Sequence, residues 1–95
     1  MEGISSLSKV YLYIPIEGAS GTEGVEAAFT TPGVEPIEGD WRPASWGQVS
    51  GRGREARILI GPGATQLTEG TYQLWVRITG VIERPVLPTG LIDVI

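Results

Sequence analysis

The chain contains neither cysteine nor histidine. Without cysteine there is no disulfide and no thiol chemistry, which argues against a secreted domain stapled by cross-links and leaves the redox compartment open. Without histidine, every Ser-His or Cys-His nucleophilic device is excluded, as are histidine metal sites. Charge is also sparse: Asp, Glu, Lys and Arg make up 19% of the residues, below the usual share of about a quarter. A lightly charged surface fits one that is partly covered by a partner. Eleven scattered acids against seven bases give a formal charge of −4, which disfavours general affinity for nucleic acid or anionic membrane. No apolar run approaches the ~20 residues of a membrane span, and the first seven residues lack the basic start and apolar centre of a signal peptide. A protein made in the cytoplasm, with no membrane partner, is expected.

What the chain does have is alternation. Across residues 67–79, Tyr72, Leu74, Val76 and Ile78 fall on one face and Gln73, Trp75, Arg77 and Thr79 on the other, the period of two of a half-buried strand. Just before it, Leu67, Gly70 and Tyr72 have the spacing of a tyrosine corner, in which the phenol hydroxyl bonds back to upstream backbone. The 95 residues suffice for one small domain with a single core. Its expected layout is an N-terminal arm over 1–8, ordered only when something docks on it, and a single β-sandwich domain over 9–95.

Along the chain, 9–16 reads as a first strand with Val10, Leu12 and Ile14 opposed to Tyr11 and Tyr13, and Pro15 marks it as an edge strand. A glycine-rich loop over 17–24 leads to a second strand, where Val25, Ala27 and Phe29 alternate with Glu26, Ala28 and Thr30. Helix competes there through Glu-Ala-Ala, but the flanking Gly24 and Pro32-Gly33 leave too few residues for one. Residues 34–39 are expected to cross between sheets. Residues 40–47 look like a bulged third strand, with Trp41 or Trp46 as the core plug. A flexible loop over 48–54, a strand over 55–60, the organising strand, a turn over 80–85 and a last strand broken by Pro88 and Gly90 complete six to seven strands. The expected fold is all-β, a six- to seven-stranded antiparallel β-sandwich.

Chemical signatures are weak. Glu35, Glu38 and Asp40 form the one local acidic cluster, but they match no EF-hand spacing, and a glycosidase needs its two carboxylates across a deep cleft. Solvated loop acids are the simpler reading. Gly61-Pro62-Gly63-Ala64-Thr65 lacks the Gly-Lys-Ser/Thr ending of a phosphate loop and precedes no helix, so it reads as a turn. Gly51-Arg52-Gly53-Arg54 resembles Arg-Gly stretches that touch nucleic acid, against the acidic balance of the chain. No catalytic, metal-ligating or cofactor-binding residue is assigned.

Trp41-Arg42-Pro43-Ala44-Ser45-Trp46, Ile60-Gly61-Pro62-Gly63, Gly70-Thr71-Tyr72-Gln73-Leu74-Trp75-Val76-Arg77-Ile78-Thr79 and Glu83-Arg84-Pro85-Val86-Leu87, followed by a closing apolar strand, resemble small structural proteins of tailed actinobacteriophages, encoded among head and head–tail connector genes. The resemblance spans roughly residues 8–95 and carries no catalytic motif. Its one departure is Gly80-Val81-Ile82, where a more polar turn is expected. The resemblance implies that the six- to seven-stranded antiparallel sandwich is an immunoglobulin-like β-sandwich, and that the chain is a non-enzymatic virion protein, made in the host cytoplasm and present in many copies. Foremost it implies a capsid accessory (decoration) protein that binds the major capsid protein or neighbouring virion proteins, where avidity makes weak contacts firm. A connector, tail or baseplate component is the alternative of the same class. A virion-displayed carbohydrate-binding module using Trp75 with Tyr11 or Tyr13 is the alternative of another class. The candidate partner contacts are Leu7 in the arm, Arg52 and Arg54 in the Arg-Gly loop, and Trp75 and Arg77 on the outward face of the organising strand. The edge of the first or last strand is a further place where a neighbour's sheet could be extended.

Overall fold

A computed structural model describes residues 3–17, 21, 23–50, 53–80 and 84–95. The loop expected over 17–24, the Gly51-Arg52 pair and the turn at Gly80-Val81-Ile82 therefore lie wholly or partly outside the described residues. Seven strands are described: β1 (Val10–Glu17), β2 (Gly24–Thr30), β3 (Arg42–Pro43), β4 (Ser45–Ser50), β5 (Gly53–Ile60), β6 (Gly70–Thr79) and β7 (Val86–Val94). They form two antiparallel sheets, one of three strands in the order β1-β5-β4 and one of four in the order β3-β2-β6-β7.

The alternating residues decide how the sheets meet. Ile14 and Ile16 of β1 and Ala56, Ile58 and Ile60 of β5 project from the three-stranded sheet onto Val25, Ala27, Leu74, Val76 and Ile78 of the other. All ten are buried, and Leu12, Phe29, Trp46 and Leu67 pack around them. Each large aliphatic buried here stabilises the fold by roughly 1.5–3 kcal/mol. Trp46 is the tryptophan that reaches the core, at its margin, with its indole N–H donating to the Glu23 carbonyl at 2.7 Å. The corner before β6 closes as its spacing predicts: the Tyr72 hydroxyl donates to the Thr68 carbonyl at 2.8 Å, and its ring meets Phe29 edge-on at 6.4 Å between centroids.

Four expectations are corrected. Residues 40–47 are not one bulged strand: Asp40 belongs to a 3-10 turn, residues 42–43 form β3 in the four-stranded sheet and residues 45–47 begin β4 in the three-stranded one. Residues 34–39 do not pass between the sheets. They fold back over the outer surface of the four-stranded sheet, because β3 returns to pair with β2 and the change of sheet occurs only at Ala44, whose N–H still bonds Val25. The segment 48–54 is not an open loop, since residues 48–50 belong to β4 and Gly53 and Arg54 to β5, joined in a hairpin with a register shift between Trp46 and Val49. Residues 3–8 are held by the chain itself. Ile4 donates to Asp93 and accepts from Ile95, both at 2.8 Å, in a parallel bridge beside the end of β7.

The arm passes so close to Gly61 that a β-carbon there would collide with the Ser8 carbonyl oxygen and lie 2.8 Å from Lys9 Cα, at a backbone φ of +119°. Gly61→Ala should therefore lower stability by at least about 2 kcal/mol, from strain and displaced backbone together. Tyr72→Phe, which removes the bond to the Thr68 carbonyl and the one shared with the Thr68 hydroxyl, both at an exposed site, and little volume, should cost about 1 kcal/mol. Urea unfolding followed by tryptophan fluorescence checks both through the transition midpoint, with an unchanged m-value for Tyr72→Phe.

Candidate functional site

The pairing of β2 with β6 sets Glu26 opposite Arg77 and Ala28 opposite Trp75 on the outer face, one step out of phase with the core residues Ala27 and Val76. An outward alanine next to solvent would be exposed, yet Ala28 is fully buried. The cover is the segment 31–41. Thr30 ties its start down, donating to the Val34 carbonyl at 2.7 Å and accepting the Trp75 indole N–H at 2.9 Å. The Gln73 side chain accepts the Gly33 N–H at 3.1 Å. Further on, a single 3-10 turn, Glu38–Asp40, is fixed by the Asp40 carboxylate, which accepts the Ile37 N–H at 2.9 Å.

This turn presents Glu38 and Trp41 to Arg77. The guanidinium donates through Nε and Nη2 to Glu26 Oε1 at 3.0 and 2.7 Å and through Nη1 to Glu38 Oε1 at 2.6 Å, and its Cζ lies 4.6 Å from the centre of the Trp41 ring. Arg77 is only 7% exposed. A buried charge of this kind is tolerable because two carboxylates and an aromatic face replace its water. The Glu38 hydrogen bond, with Glu26 adding to it, raises the Arg77 pKa above its ordinary value against the opposing effect of burial. The linkage has a definite sign. A raised pKa on a cation gives stability that is present below the unfolded value and lost only as pH rises past the folded one, so Arg77 stays charged throughout the ordinary pH range.

Beside this cluster lies an open cleft of about 480 Å3 lined by Glu35, Pro36, Glu38, Trp41, Trp75, Arg77 and Val86. Of the candidate contacts, Trp75 and Arg77 meet here. Leu7 sits elsewhere, 85% exposed in the arm. Arg54 is half-buried on β5 with its side chain lying over Gly21, where an added β-carbon would come within 2.5 Å of its Cδ. Arg52 lies outside the described residues. A sugar platform combining Trp75 with Tyr11 or Tyr13 is not assembled, because the tyrosines are on the outer face of the other sheet, Tyr11 under Arg57 at 4.7 Å. Nor do Glu35, Glu38 and Asp40 converge: among the described residues no three ligating side chains gather closely enough to hold a metal. Glu26, Glu38 and Trp41 were not assigned to a site from the sequence. The signal that would have found them is the opposite charge of Glu26 and Arg77 on two neighbouring strands, readable only once their register is known.

The fold and site define an all-β protein of two antiparallel sheets with a tryptophan-walled, ion-paired cleft on one outer face. No protein-family model, curated protein or solved structure matches the chain.

The two carboxylates should differ in weight. Glu38 is 80% exposed, so Glu38→Gln should cost under about 0.5 kcal/mol, as for a surface pair. Glu26 is the more buried partner at 35% exposure and accepts two of the three bonds, so Glu26→Gln should cost about 1–2 kcal/mol, discounted for its partial exposure. Thermal unfolding of the two variants side by side checks the order.

Proposed function

We propose that the chain is a non-enzymatic, immunoglobulin-like structural protein of a tailed-phage virion, a capsid accessory protein that docks on the major capsid protein through the outer face of its four-stranded sheet. The immunoglobulin-like part rests on topology. Strands β1, β5 and β4 correspond in order to B, E and D of that fold, and β2, β6 and β7 to C, F and G, with β3 at the C′ position and the tyrosine corner opening the F equivalent. The phage origin rests on the sequence resemblance.

One observation carries the docking. Trp75 and Trp41 stand half-buried around a buried arginine on an outward sheet face, with Ile37 (72% exposed), Val34 and Val86 also exposed on the segments that flank the cleft. Tryptophan and arginine surrounded by small apolar contacts is the composition of an interface hot spot. The edges are less suited to the task. The edge strands are β1 and β4 of one sheet and β3 and β7 of the other, and β1, β3 and β7 each carry a proline while β4 loses its register between Trp46 and Val49. β7 is further broken where Thr89 bulges out and bonds its hydroxyl to the Leu74 carbonyl at 3.1 Å.

The test is co-sedimentation with empty shells assembled from the phage's major capsid protein. The wild-type protein should pellet with the shells, and Trp75→Ala, checked for an unchanged fold by circular dichroism, should weaken binding at least tenfold, or about 1.4 kcal/mol. A protein that stays in the supernatant and is absent from purified virions overturns the reading.

A further inference from the structure

We infer that the cleft on the four-stranded sheet receives a basic side chain, an arginine or lysine presented by the docking partner, held between the face of Trp75 and the carboxylate of Glu35. The inference deepens the docking reading of the same cleft and rests on it.

Three features of the cleft point to a cation. First, the charges that line it do not balance. One guanidinium, Arg77, stands against the carboxylates of Glu35 and Glu38 and is shared with Glu26 beneath, so the lining itself carries surplus negative charge, in keeping with the net charge of −4. An acidic partner surface is repelled and a basic one attracted.

Second, Arg77 does not satisfy Glu35. Its donors reach Glu26 and Glu38, and Glu35 is exposed with no hydrogen bond or ion pair among the described residues. Asp40, the nearby acid, is occupied by the Ile37 N–H.

Third, the two tryptophans are in different states. Trp41 has a guanidinium over its ring already. Trp75 has its indole N–H committed to Thr30, which fixes the ring, and among the described residues no cation lies over its face. Indole is the strongest aromatic partner for a cation. A preset ring and an unpaired carboxylate lining one cleft of about 480 Å3 leave room for one long side chain whose stem packs on Pro36 and Val86 while its charge meets Glu35.

The experiment is a titration of the 15N-labelled protein with N-acetyl-arginine amide at millimolar concentrations, read at the three tryptophan indole resonances. Those of Trp75 and Trp41 should shift saturably, while that of Trp46, at the core, stays in place. N-acetyl-norleucine amide and N-acetyl-glutamate amide should produce less than a third of that shift. Glu35→Gln, at a residue with no partner to lose, should weaken the arginine response at least threefold, and added salt should weaken it in the wild type. Equal shifts with the norleucine amide, an undiminished response in Glu35→Gln, or saturable shifts with methyl glycosides in place of arginine would each overturn the inference. Shell binding that is lost in Trp75→Ala but unchanged in Glu35→Gln overturns the basic partner and leaves the docking reading standing, whereas loss of shell binding in both supports the two together.

Discussion

The register of β2 against β6 is the constraint on which both faces of the four-stranded sheet depend. Set as it is, Ala27 meets Val76 on the inside and Glu26 meets Arg77 on the outside. A slip of one residue would turn the arginine into the core and expose Val76, which is fully buried. The apolar face drives the pairing, and the charged face makes the wrong pairing costly, so the same ten residues of β6 specify core and surface at once.

The outer face is then finished by chain that belongs to no strand. A sheet face with an alanine and two long polar-tipped side chains invites a cover, and the segment 31–41 supplies it, with Trp41 laid on the arginine and Val34 and Ile37 left exposed. It is held by the Thr30 hydroxyl donating to Val34, by Gly33 donating to the Gln73 side chain, and by the carboxylates at the Glu38–Asp40 turn. Where the cover meets Arg77, the planar guanidinium matters as much as its charge: it donates to Glu26 and Glu38 while stacking on Trp41, which an ammonium group does not do. What stays open between the cover and β7 is the cleft, and its chemistry, aromatic walls with surplus negative charge, follows from which side chains the cover leaves unpaired.

The sheet edges tell the complementary story. Free edges are templates for uncontrolled pairing, and each long edge strand of this molecule carries a feature that discourages it: Pro15 in β1, the register shift between Trp46 and Val49 in β4, and Pro88 with the Thr89 bulge in β7. The end of β7 is further occupied by Ile4, whose bonds to Asp93 and Ile95 use groups that would otherwise face outward. On the docking reading, attachment therefore falls to a face, where side chains select the partner, and not to an edge, where any extended backbone would serve.

Local periodicity was enough to determine the strands around Val10, Val25, Ile58 and Val76, the apolar set that forms the core, the edge position of the strand with Pro15, and the corner made by Tyr72, because each depends on neighbours in sequence or on the pleat itself. The path of residues 34–39, the hairpin built from residues read as a loop, the docking of the arm and the choice of Trp46 over Trp41 as the core tryptophan were decided only by the tertiary structure. So was the site: Glu26 and Arg77 are 51 residues apart and Glu38 and Arg77 are 39 apart. No local pattern encodes such contacts, since their energies arise only when two strands take one register and a returning segment lies down across them.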